Sequence, residues 1–88
     1  MKTFQALLTL KIRNNPDTHI HKLCAQTEKS YTYIYHNLKI MEAAGWIRMH
    51  KSPSGKSYLK IADSKIVEKA IKVLGKPENM EPKQENGK

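Results

Sequence analysis

The hydrophobic period of this chain changes at Gly45, and that change limits what it can fold into. Before the glycine, Ile34, Leu38 and Met41 recur at i, i+4 and i+7, one stripe on a helix. After it, Ile47 and Met49 alternate with Arg48 and His50, the two-residue period of a strand. Ser30 is suited to cap the helix, because its hydroxyl can accept an otherwise unpaired N–H of the first turn. Gly45 suits the left-handed position that closes it. The segment therefore reads as a helix over about 31–44 that passes directly into a short strand.

The other elements follow from the same rules. Residues 3–14 read as a first helix, capped by Thr3, with Phe4, Leu7, Leu8 and Ile12 in its stripe and Leu10 widening it. Asn14-Asn15-Pro16-Asp17 is a stop and turn. Asp17 or Thr18 opens a second helix over about 19–26, with Ile20, Leu23 and Cys24 inward. Ser52-Pro53-Ser54-Gly55 is a turn, and Tyr58-Leu59-Lys60-Ile61 alternates again, so residues 47–61 form a β-hairpin. Asp63 or Ser64 caps a last helix that runs to Leu74 and ends at Gly75-Lys76-Pro77. Residues 1–75 are read as one α+β domain: three helices, a hairpin and a closing helix. Residues 76–88 have almost no apolar content and are read as a disordered polar tail.

Charge narrows the choice of partner. The 88 residues carry 16 Lys and Arg against 8 Asp and Glu, a net +8. The last thirteen residues are neutral, so residues 1–75 hold the whole excess, thirteen basic against five acidic. A basic body of this kind suits a polyanion. The single cysteine excludes an intramolecular disulfide. The apolar run FQALLTLKI is broken by Gln5, Thr9 and Lys11, so neither a signal peptide nor a membrane span is expected. A cytoplasmic, nucleoid-associated protein is the expectation.

The basic and aromatic residues are arranged by element. Opposite its apolar stripe, the third helix presents Thr32, Tyr35, His36 and Lys39, with Tyr33 on the other flank and no carboxylate among them. Donors, rings and a positive charge on one helix face suit the major groove of DNA. Thr32 and Tyr35 can meet a thymine methyl, His36 a guanine acceptor, and Lys39 a phosphate or guanine. No arginine lies on this face, so modest sequence discrimination is expected. The hairpin adds a basic rim of Arg48, Lys51, Lys56 and Lys60, with Gly55 at its tip. Tyr31 projects within about 60° of the core stripe and reads as packing.

These spacings resemble the MarR/ArsR-type winged helix-turn-helix regulators, most closely the small archaeal or archaeal-virus ones. The resemblance is carried by Leu23-Cys24, Ile34, Leu38, Met41-Glu42, Gly45, Trp46 and Ile47, and by Gly55-Lys56-Ser57-Tyr58-Leu59-Lys60-Ile61. It covers roughly residues 4–74. It implies a winged-helix fold that binds double-stranded DNA, with the third helix in the major groove and the second bracing it. Ser30, Thr32, Tyr33, Tyr35, His36 and Lys39 would be the helix contacts. The wing would lie on the backbone or minor groove through Arg48, Lys51 and Lys56. Four such phosphate contacts imply a salt slope of about −3 to −4 per monomer. The chain departs from the family at Glu28, where glycine is usual, and at Lys29, where an apolar residue is usual. Glu28 must then take positive φ, at about 1 kcal/mol for a residue with a Cβ.

Other chemistry finds little footing. His19-x-His21-x-x-Cys24 has a ligand's residue types, but the two histidines lie about 200° apart on a helix and Cys24 falls on the core side. The Cys-x-Cys pair of metal-sensing ArsR members is absent, so no metal is expected. No phosphate loop, nucleophile motif or paired carboxylates point to an enzyme or a cofactor. No small-molecule ligand is evident. The last helix is apolar over a wide arc: Ile66, Ala70 and Val73 form one line, and Val67, Ile71 and Leu74 another. The first line would pack on the domain and the second on another copy, giving a homodimer on a near-palindromic site. The function expected is a sequence-specific transcription regulator. The alternatives are a low-specificity architectural DNA-binding protein and a winged-helix protein–protein module.

Overall fold

The computed structural model describes residues 1–75, so the tail at 76–88 lies outside the described residues. The elements run α1 (Thr3–Asn14), α2 (Ile20–Thr27), α3 (Tyr31–Ala43), β1 (Ile47–Lys51), β2 (Ser57–Ile61) and α4 (Lys65–Leu74). The class is α+β, with four helices and one antiparallel hairpin among the described residues.

The helix termini show how local chemistry sets the boundaries. Lys2, in extended backbone, is the N-cap of α1, and Thr3 is already helical, which corrects the expectation for Thr3. The Lys2 amide donates to Gln5 Oε1 at 3.1 Å. Neither Asp17 nor Thr18 caps α2; His19 does, its Nδ1 accepting from the Lys22 amide at 3.3 Å. Thr18 is engaged elsewhere, its hydroxyl donating to the Asn15 carbonyl at 2.6 Å. Ser30 caps α3 as its residue type predicts, accepting from the Tyr33 amide at 3.2 Å. Ser64 is the N-cap of α4 by position, but Asp63 Oδ1 takes the Lys65 amide, at 3.0 Å.

Residues of positive φ end both α2 and α3. Glu28 ends α2 at φ 58° and ψ 33°, the left-handed conformation expected where the resembled regulators carry glycine. Gly45 ends α3 at φ +82°. There the Trp46 amide reaches the Met41 carbonyl at 3.0 Å and the Gly45 amide reaches that of Glu42 at 2.9 Å. These two bonds are a Schellman closure, which turns the chain sharply into β1.

The core gathers apolar residues from α1, α2, α3 and both strands. Leu8, Ile12, Ile20, Leu23, Ile34, Leu38, Met41, Ile47 and Leu59 form a continuous buried cluster, with Phe4, Cys24, Trp46, Met49 and Ile61 packed around it. Leu7, expected in the α1 stripe, is instead 37% exposed. The reason is that α1 is covered by both α3 and α4, which rotates its buried face toward Gln5, Ala6 and Thr9. Gln5 and Asn37 meet in this interior, Nε2 to Oδ1 at 3.4 Å, and Asn37 Nδ2 donates to the Tyr33 carbonyl at 3.0 Å.

The hairpin pairs Ile47 with Ile61, Met49 with Leu59 and Lys51 with Ser57. It is anchored to the α1–α2 turn, which the sequence reading leaves as irregular chain. The Leu59 amide donates to the Thr18 carbonyl at 3.0 Å, and His19 bridges to Tyr58. Helix α4 packs chiefly against α1, burying Ile66 and Ala70. Val73, expected on the same inward line, remains exposed beside Ile71 and Leu74. No helix among the described residues is long and apolar enough to cross a membrane.

Candidate nucleic-acid interface

Because α3 buries Ile34, Asn37, Leu38 and Met41, its remaining residues are turned outward. Thr32, Tyr33, Tyr35, His36 and Lys39 are all exposed. They do not form one surface. Tyr33 faces α1, its ring centroid 5.2 Å from that of Phe4 and with Lys29 Nζ 5.8 Å above it. Tyr35 lies on the opposite flank, toward the hairpin. The hydroxyl of Ser30 is already committed to its cap.

Strand parity divides the basic hairpin in the same way. Ile47 points into the core, so Met49 and Lys51 share its face, and Arg48 and His50 point the other way. Lys51 thus joins α3 across a groove of about 350 Å³ lined by Tyr31, Tyr35, Lys39, Glu42, Met49, His50, Lys51 and Ser57. Arg48 stands directly opposite Lys60 on the other face. Like charges in register are unfavourable unless an anion joins them. Lys56 is exposed in the turn, next to Gly55 at φ +90°. Of these side chains, Tyr35, Lys39 and Lys51 therefore lie around the groove, while Arg48 pairs with Lys60 on the other face of the hairpin.

Two features correct the sequence reading. Tyr31 is not packing: it is 45% exposed, and its ring lies parallel to that of Tyr35, 6.0 Å apart and inclined by 11°. His21 backs it at 5.2 Å. Nor is the outer face of α3 free of carboxylate at its groove edge. Glu42 Oε1 takes a bond from Lys39 Nζ at 2.9 Å, which holds the lysine pKa above its ordinary value. Helical spacing of i and i+3 already puts Glu42 within reach of Lys39.

A second aromatic cluster joins the hairpin to α2. Tyr58 stacks on His50, its cross-strand partner, with centroids 6.0 Å apart, and meets His19 edge-on at 5.8 Å. Burial, and then the charges of Lys56, His21 and Lys22, hold the His19 pKa below the ordinary histidine value. The rings of His19 and His21 thus face different partners, and Cys24 is half-buried against the core. Among the described residues no three His, Cys, Asp or Glu side chains gather into a group that would hold a metal.

Compared with models of protein families, with curated proteins and with solved structures, the chain matches none of them.

Proposed function

We propose that the protein binds double-stranded DNA as a winged-helix regulator, with α3 in the major groove and the hairpin as the wing. The observation that carries this reading is the pairing of an exposed polar helix face with a basic hairpin beside it, on a body that holds the whole +8 charge. A helix fits the major groove, which is about 12 Å wide. Thr32, His36 and Tyr35 reach base edges, and Lys51 and Lys56 reach the flanking phosphates. Arg48 and Lys60, side by side behind the hairpin, accept a second stretch of backbone.

Sequence discrimination is modest on this reading. The α3 face has no arginine for a bidentate guanine contact, and its one lysine is tied to Glu42. The protein acts as a dimer through α4. Ile71 and Leu74 are exposed and Val67 is half-buried, while Ile66 and Ala70 are used by α1. A two-fold dimer reads two half-sites about 34–36 Å apart.

Selection from a randomised duplex pool, followed by fluorescence anisotropy at about 150 mM salt, tests this directly. A near-palindromic winner bound at least ~10³-fold more tightly than scrambled DNA supports a sequence-specific regulator. Binding without enrichment reduces the reading to an architectural role. Absence of binding to any duplex rejects it.

A further inference from the structure

The groove between α3 and the hairpin has features that duplex binding leaves unused. Its wall is a pair of parallel tyrosine rings, Tyr31 and Tyr35, which remain 45% and 42% exposed. His21 of α2 meets Tyr31 at a tilt of 40°, with ring centroids 5.2 Å apart, and so props the tyrosine from one side. Bases in an intact duplex hide their faces in the helical stack and offer only their edges. A bare ring face therefore gains contact chiefly from a base that has left that stack.

The polar lining points the same way. Lys51 and Ser57 stand at the hairpin side, placed for a phosphate and sugar. Among the described residues Glu42 is the one carboxylate that lines the groove, beside Lys39. A carboxylate repels the phosphate backbone, but it accepts well from an exocyclic amine, as in cytosine.

We propose that this groove binds a single unpaired nucleobase carrying an exocyclic amine, stacked on Tyr31 and Tyr35 with its amine on Glu42 and its phosphate on Lys51. The inference rests on the nucleic-acid reading above and extends it: the protein prefers DNA that contains an unpaired cytosine or adenine over a fully paired duplex.

The test compares a paired duplex with the same duplex carrying one extra unpaired base, by anisotropy with the full chain. A 2-aminopurine probe at the unpaired position reports stacking by loss of fluorescence. Stacking on an aromatic ring predicts a preference of about 5- to 150-fold for the unpaired site, with quenching of the probe. Tyr31→Leu, an exposed substitution, removes the preference and the quenching while binding of the paired duplex persists. Glu42→Gln removes the advantage of cytosine over thymine at the unpaired position. Equal affinity for both duplexes with an unquenched probe overturns this inference and leaves the duplex reading standing. Binding to neither duplex overturns both.

Discussion

His19 performs two tasks, one of which depends on a lone pair. Its Nδ1 accepts the Lys22 amide at the start of α2, and its ring edge rests on Tyr58. Protonation at Nδ1 removes the acceptor and adds a positive charge that its surroundings, Lys56 first among the neighbouring side chains, oppose. The folded chain thus binds this proton more weakly than the unfolded chain. Its contribution to stability is complete above the unfolded value of about 6.5 and is lost as pH falls toward the lower folded value. The urea midpoint is expected to fall between pH 7.5 and pH 5.5. His19→Asn, which keeps a capping oxygen without the titration, should flatten that fall. An unchanged slope in the variant would assign the effect to another group. At Glu28, φ 58° strains a residue with a Cβ. Glu28→Gly is expected to stabilise the fold by about 0.5–1 kcal/mol, less whatever the freer unfolded chain takes back. Urea unfolding at neutral pH checks the sign. The left-handed Glu28 was legible only through the resemblance, which puts glycine at that position of the turn; the residues of the turn themselves did not single it out. The His19 cap was not, because Asp17 and Thr18 are better caps by type, and only the folded chain diverts Thr18 to Asn15 and the hairpin.

At the level of elements, helix spans and the two strands follow from periodicity and punctuation, and α3 ends within one residue of its expected limit. What periodicity does not give is cover. The helical wheel fixes the direction of Tyr31, but whether that direction is filled depends on α2, which offers it only His21. The same limit applies to α1, where the approach of α4 exchanges Leu7 for Gln5 and Thr9 in the interior. The split of the basic hairpin, by contrast, was available from strand parity once Ile47 was placed inward. The Lys39–Glu42 pair has a measurable consequence for α3. Each phosphate contact contributes about 0.9 to the slope of log affinity against log salt on B-DNA. With Lys39 held by Glu42, the slope should fall short of four contacts. Glu42→Gln frees the lysine and is expected to tighten duplex binding and steepen the slope by about one. A parallel pair of salt titrations for the two proteins would exclude Lys39 from the phosphate contacts.

At the scale of the whole molecule, the exposed apolar residues of α4 bear on assembly. Ile71, Val73 and Leu74 lie at 44%, 36% and 38% exposure within one turn. If this face joins two copies, Ile71→Glu yields a folded monomer with weaker DNA binding, because each half-site then binds alone. Light scattering at matched concentration decides it: an unchanged mass rejects the dimer.

The backbone bond from the Leu59 amide to the Thr18 carbonyl has a kinetic meaning as well. It closes a long loop of chain, from residue 18 to residue 59, that contains α2, α3 and β1. Loop closure is an entropic cost met before the contacts inside the loop can reward it. This contact is therefore expected to form late in folding and to open only when the domain opens. Hydrogen exchange at the Leu59 amide should follow global unfolding, while amides at the hairpin tip exchange through local fraying. One amide, watched over hours, would report on the integrity of the entire domain.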